Sequence, residues 1–162
     1  MAMKVLFVSF LISATGLAAS CGNSTDSSTQ TCGPATGTVE RVVDGDTVVL
    51  VGGQKVRYLG LDAPETDACY GSEATAFNSE LVLGKEVALE YDVECRDNYN
   101  RLLAHVSING GSVNMTLLEQ GYACQMVISP NVLYRDVYAN AVQIARAYGR
   151  GVWSACDPVP CL

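Results

Sequence analysis

Five short runs rich in β-branched residues, most of them closed by a turn signal, constrain this chain more than any other feature. Residues 39–43 and 47–51 flank Asp44-Gly45-Asp46, Gly52-Gly53 follows, and residues 55–61 form a third run. Valine, threonine and leucine in such runs suit partly buried strands, and Asp-Gly or Gly-Gly pairs suit hairpin turns. Residues 86–91 and 102–108 supply two more runs, the last followed by Asn109-Gly110-Gly111. The first three runs predict a β-meander.

Helical patterns interrupt and follow these strands. Residues 72–83 carry Ala74, Phe77 and Leu81 on one face, with Ser72 expected as the cap and Gly84 past the end. Residues 113–120 predict a short helix stopped by Gly121. Residues 132–148 predict the longest, with Leu133, Val137, Ala141, Ile144 and Tyr148 expected to face the core and Gly149 to end it. Strands first, one helix between and more helices after indicate α+β rather than βαβ. Five strands are too few for a sandwich and suit a five-stranded Greek-key β-barrel of the OB type with three α-helices.

At 162 residues one domain is expected, over residues 36–155. Hydrophobic residues make up 49% and charged residues 17%, which excludes a disordered chain. Residues 1–20 read as a secretory signal, with Lys4 before an apolar stretch that ends in Ala18-Ala19-Ser20. Small residues directly before Cys21 also resemble a degenerate bacterial lipobox. Residues 21–35 read as a flexible Ser/Thr-rich tether, and residues 156–162 as a cysteine-containing tail. Seven cysteines point to an oxidising compartment. With Cys21 lipidated, Cys32, Cys69, Cys95, Cys124, Cys156 and Cys161 remain for three disulfides; with plain secretion one thiol is spare. An exported protein is therefore expected, anchored at a membrane surface through Cys21 or freely secreted.

Four segments carry chemistry: Asp44-Gly45-Asp46-Thr47, Arg57 through Glu65, Asp97 through Arg101, and Gly151-Val152-Trp153. Taken singly, each has an ordinary structural reading: a hairpin turn, a solvated strand exit, surface arginines, a core aromatic. Together they place three carboxylates (Asp46, Asp62, Glu65) and two arginines (Arg57, Arg101) near strand ends of one small barrel. Carboxylates without histidine or cysteine suit a hard cation such as Ca²⁺. Arginine forks pair with phosphate oxygens. A metal, a phosphate clamp and a free carboxylate make a phosphodiesterase site. His105, the only histidine, lies on a strand away from these segments.

In the order and spacing of these pieces, from about Gly37 to Trp153, the chain resembles the staphylococcal nuclease-like, or thermonuclease, domain family. Val43 through Thr47 resembles the family's first-hairpin motif, Arg57 through Glu65 its arginine, metal-aspartate and general-base segment, and Arg101 its second phosphate arginine. Val113-Asn114 with Leu117, Gly121 and Ala123 resembles its second helix. The resemblance implies a Ca²⁺-dependent endonuclease acting on DNA and RNA with little sequence preference and leaving 3′-phosphate ends. It implies Asp46, Asp62 and the Ala63 carbonyl as Ca²⁺ ligands, Glu65 as general base, and Arg57 and Arg101 as stabilisers of phosphoryl charge. A monomer is expected.

Arg57 and Asp62 are five residues apart and would face opposite sides of a regular strand. Both reach one site only if the strand bends or ends between them, and Gly60 is the expected place. Asn100 replaces the glycine usual before the second arginine, and Asn98 stands where a basic residue is common. Val127 and Ser129 stand in the region where members of that family can carry base-stacking tyrosines. Cys69 and Cys95 fall in the two loops that flank the site in this family, so their pairing is expected, leaving Cys32 and Cys124 for Cys156 and Cys161. The competing reading is a non-catalytic OB-fold surface lipoprotein that binds single strands, although a basic groove and aromatic platforms are sparse. A third is a disulfide-rich lipoprotein with an idle site. Net charge is −7, and Lys4 is the one charged residue of the signal segment. So acidic a chain binds nucleic acid through a metal and a few arginines rather than a basic field, which predicts a shallow salt dependence.

Overall fold

A computed structural model describes residues 32–161. The expected signal segment, Cys21 and most of the tether lie outside the described residues. In chain order the elements are β1 (Thr36–Val42), β2 (Thr47–Leu50), β3 (Lys55–Tyr58), β4 (Leu61–Asp62), α1 (Gly71–Val82), β5 (Glu86–Glu90), β6 (Leu102–Ile108), β7 (Gly111–Ser112), α2 (Val113–Glu119), β8 (Cys124–Gln125), α3 (Arg135–Ala147) and α4 (Val152–Ala155).

Strands pair in the order β3-β2-β1-β5-β6, and a parallel β3–β6 pairing (Val56↔Leu102, Arg57↔Leu103, Tyr58↔Ala104) closes them into a five-stranded barrel. This is the α+β, OB-type barrel expected from the strand pattern. Closure leaves the barrel strands no long free edge. Val39, Val48, Val56, Val87, Leu102 and Ala104 are fully buried and fill the interior, while Leu117, Leu118, Tyr138 and Ala141 join the same cluster from α2 and α3. A fourth helix, α4, joins the three expected. Its single turn is too short to show apolar periodicity in sequence.

Three details differ from the sequence reading. Helix α1 begins one residue before Ser72, after Tyr70 in a left-handed conformation (φ 68°), and the Ser72 hydroxyl donates to Glu73 rather than capping. On α3 the buried residues are Tyr138, Ala141, Val142 and Ala145, while Leu133, Val137, Ile144 and Tyr148 of the expected core stripe are exposed. Only Ala141 belongs to both sets. Small alanines let α3 approach the barrel closely, and Tyr138 finds a polar partner inside for its hydroxyl, His105 Nδ1 at 2.9 Å.

The third difference is the disulfide pattern. Cys69 and Cys95 are not joined; the bonds are Cys32–Cys95, Cys69–Cys156 and Cys124–Cys161, with Cα separations of 5.1, 5.9 and 5.8 Å. Each loop flanking the site is tied to a terminal segment instead of to the other loop. Bridged Cα atoms rarely stand more than about 7 Å apart, so the pairing follows from which segments the fold brings within that distance, which spacing in sequence does not give.

Candidate active site

The site begins in the β1–β2 connection. The Asp44 carboxylate accepts the Asp46 backbone N–H (3.0 Å), and the Val43 N–H donates to the Thr47 carbonyl (2.9 Å), so the turn holds Asp46 at its inner end. Burial pushes the Asp44 carboxyl above its ordinary range, against the opposing pull of its Thr47 hydrogen bonds and of Arg57 and Arg101. Gly45 is needed here for proximity. A Cβ on it would lie 2.5 Å from the Ala63 Cβ and 2.9 Å from the Ala74 Cβ, so only glycine lets the turn rest against both.

Asp46 is fully buried and multiply satisfied. Its Oδ1 accepts the Thr47 hydroxyl (3.0 Å) and an Arg57 guanidinium N–H, and its Oδ2 accepts the Ala63 backbone N–H at 2.7 Å. A buried carboxylate persists only when paired and hydrogen-bonded in this way. Arg57 sits on β3 opposite Thr47, with its side chain 13% exposed. Its second terminal nitrogen donates to Asp62 Oδ1 at 2.5 Å. One guanidinium thus draws two carboxylates to one place.

The bend expected at Gly60 is present. Strand β3 ends at Tyr58, Gly60 is left-handed (φ 79°), and a Cβ there would come within 2.6 Å of the Tyr138 ring. The chain then turns back as β4, where Leu61 and Asp62 pair with Gln125 and Cys124 of β8. That pairing carries Asp62 to the same side as Arg57. Ala63 is buried directly behind it.

Glu65 lies on the exposed segment between β4 and α1, and among the described residues no hydrogen bond or ion pair engages its carboxylate. Its backbone carbonyl accepts the Ala68 N–H (2.8 Å), and a Cβ on Gly71 would come within 1.8 Å of that carbonyl oxygen. Glycine at the start of α1 therefore sets how the Glu65 segment passes over the helix.

Arg101 is held from its own loop. Its Nε donates to Asp97 Oδ2 (2.6 Å), its backbone N–H and that of Tyr99 donate to Asp97 Oδ1, and Asn100 between them is left-handed (φ 62°). Burial raises the Asp97 carboxyl, but the Arg101 and Tyr99 hydrogen bonds and the Arg101 charge outweigh it and hold the pKa below the usual range. Asparagine is one of the few residues that adopts this conformation readily, so the replaced glycine leaves the loop intact. Asn131 clamps the same loop from outside: Oδ1 accepts the Glu94 N–H (2.7 Å) and Nδ2 donates to the Glu94 carbonyl (3.0 Å).

A cleft of about 360 Å³ brings Arg57 and Arg101 together, with Arg96, Tyr99, Met126 and Ile128 among its walls. The structure thus gathers Asp46, Arg57, Asp62 and Ala63 into one contacting cluster and sets Arg101 across a shared cleft from Arg57. From the 126–129 segment, Met126 and Ile128 line this cleft, whereas Val127 lines a separate recess beside His105. Gly45, Gly71 and Asn131 were not legible as site residues, because their roles are contacts with chain distant in sequence.

Asp46 and Asp62 bring two carboxylates together at one guanidinium, and among the described residues no imidazole or thiolate is hydrogen-bonded to them, an oxygen chemistry that fits a hard cation.

Residues 55–155 match the family model described as staphylococcal nuclease homologue. The chain is 41% identical over 128 residues to Endonuclease YncB of Bacillus subtilis (strain 168), covering 72% of this chain and 61% of that protein. To the SPbeta prophage-derived endonuclease YokF of the same organism it is also 41% identical over 128 residues, covering 72% of this chain and 43% of that protein. The chain therefore spans less than two thirds of either. It is 35% identical over 124 residues to Thermonuclease of Staphylococcus intermedius, covering 71% of this chain and 74% of that protein.

Proposed function

The chain belongs to the staphylococcal nuclease homologue family, and from that premise we propose that it is an exported Ca²⁺-dependent endonuclease that hydrolyses DNA and RNA with little sequence preference. The observation that carries this reading is the Arg57 guanidinium shared between Asp46 and Asp62, with Arg101 across the same cleft. A site of two carboxylates and two arginines suits a phosphodiester, which is anionic and builds further charge as it is attacked.

Asp46, Asp62 and the Ala63 carbonyl would hold Ca²⁺. When bound, the ion supplies Lewis-acid polarisation of a phosphoryl oxygen. Glu65, exposed and unpaired, takes a proton from the attacking water. Arg57 and Arg101 neutralise charge on the phosphoryl oxygens as the new P–O bond forms and the bond to the 5′ oxygen breaks, leaving a 3′-phosphate and a 5′ oxygen that takes a proton from solvent water to become a hydroxyl. Asp97 holds Arg101 in orientation through its two-point contact.

Export and attachment through Cys21 belong to the same proposal. The six cysteines from Cys32 to Cys161 are all paired, which supports giving Cys21 another role. Mass spectrometry of the mature N-terminus tests it, since an unmodified Cys21 rules out lipidation.

The activity is tested by hydrolysis of single-stranded DNA with Ca²⁺ or with chelator, repeated for Glu65→Gln. Cleavage that needs Ca²⁺ and drops by orders of magnitude in Glu65→Gln is expected. Equal rates with and without Ca²⁺ overturn the metal assignment, and binding without cleavage under any condition leaves a single-strand binder.

A further inference from the structure

A second cleft, of about 280 Å³, opens between β5, β6 and α3 and shares no residue with the arginine cleft. Glu90, His105, Ser112, Met115, Tyr134 and Tyr138 are among its lining residues, and Glu90 is the one charged residue in that lining. The Tyr134 hydroxyl donates to Glu90 Oε2 at 2.8 Å, which fixes the carboxylate at the wall. His105 is 6% exposed, meets the Tyr134 ring edge-on at 4.7 Å, and has its Nδ1 2.9 Å from the Tyr138 hydroxyl. Its Nε2 is buried and has no hydrogen-bond partner among the described residues. Burial keeps this imidazole below its ordinary pKa, with Glu90 and Asp92 pulling the other way, so at neutral pH it leaves the Glu90 charge uncompensated.

The lining decides among ligand classes. Among the described residues no lysine or arginine lines the cleft, so an anion finds no charge there to pair with. One carboxylate and one imidazole already engaged through Nδ1 are too few for a metal ion. A neutral apolar ligand would strip water from Glu90 without replacing it. A cation is favoured three ways: by the carboxylate, by the Ser107 hydroxyl as acceptor, and by the half-buried Tyr134 ring, whose face attracts positive charge. An ammonium group brings three donors for these acceptors. The volume lies just under that of drug-sized pockets and exceeds the roughly 150 Å³ that holds a benzene ring, so a short chain fits.

We propose that this cleft is a binding site for a small alkylammonium compound of the diamine or polyamine class, held by Glu90 beside the Tyr134 ring. The site is separate from the candidate nuclease centre and does not depend on it.

The test titrates the full chain, in chelator and without nucleic acid, with 1,4-diaminobutane, and in parallel with 1-butanol and butyrate. Binding is read by calorimetry and by the His105 and tyrosine ring resonances. Saturable binding of the diamine that shifts the His105 resonances is expected, with no saturation by the alcohol or the acid. Glu90→Gln, which keeps an acceptor for Tyr134, should weaken binding about tenfold or more, the scale of a lost charge-assisted contact. Ser107→Lys places a tethered ammonium at the cleft and should abolish binding of the free diamine. Equal binding of butanol or butyrate, or undiminished diamine binding in either variant, overturns the proposal.

Discussion

Asp46 Oδ2 accepts the Ala63 backbone N–H at 2.7 Å, joining two positions seventeen residues apart. Through this bond the β1–β2 turn fixes the segment that carries Asp62, so the two carboxylates are set by one buried contact rather than by two independent side chains. Asp46→Asn keeps the shape and loses the charge. Ca²⁺ should raise the melting temperature of the unaltered protein, because an ion that binds only the folded chain stabilises it by mass action. In Asp46→Asn that rise should vanish, together with cleavage. Scanning calorimetry with and without Ca²⁺ measures both, and a persistent rise would remove Asp46 from the ligand set.

Gly71 governs Glu65 from six residues away. Gly71→Ala forces its Cβ against the Glu65 carbonyl oxygen, and the backbone must shift because neither group is a flexible side-chain end. We expect a loss of about 1–3 kcal/mol in stability, the usual range for overpacking. Activity should fall at least tenfold with little change in KM, since small misplacement of a proton acceptor affects the chemical step. Urea unfolding and steady-state kinetics distinguish this from a purely structural defect.

The Cys32–Cys95 bond closes a separation of 63 residues and pins the loop that bears Arg101. Replacing both cysteines by serine should lower stability by up to about 4 kcal/mol on the chain-entropy account. KM for single-stranded DNA should rise as the loop loosens. The Cys124–Cys161 pair spans 37 residues and ties the tail to β8. Its removal should cost stability with a smaller effect on KM. The two double variants, compared by melting temperature and kinetics, separate loop positioning from general stabilisation.

Asp97 sets a pH dependence. Its folded pKa lies below the ordinary 3.8, because the Arg101 and Tyr99 hydrogen bonds outweigh burial. The contribution to stability is therefore complete above pH 3.8 and is lost as pH falls through the folded value. Asp97→Asn should flatten this acid limb, leave stability near neutral pH lower, and slow cleavage by freeing Arg101. Urea midpoints followed from neutral pH down to pH 3 check the sign; an unchanged acid limb would contradict the assignment.

Much of the site was legible because its chemistry is local. Asp46, Arg57, Asp62 and Arg101 sit in short segments of distinctive residue type, and the period of a strand already required a break at Gly60. What escaped were contacts between distant segments. Gly45 reads as hairpin punctuation, yet its use is to let Ala63 and Ala74 approach. The cysteines could be counted but not paired, because pairing depends on which loops come within bonding distance.

Helix α3 marks the division most clearly. Its existence and approximate span, and those of the barrel strands, follow from residue type, periodicity and turn residues, which act over a few neighbouring positions. The side-chain chemistry of the candidate site and the oxidised cysteine framework follow from composition and spacing. Which face of α3 is buried does not: the large apolar side chains Val137 and Ile144 point outward, and the alanines with Tyr138 point in. Barrel closure through β3 and β6, the cleft between Arg57 and Arg101, and the Glu90 cleft were decided by tertiary structure alone. Local pattern sets what each segment can be, while close packing among segments distant in sequence decides which atoms meet.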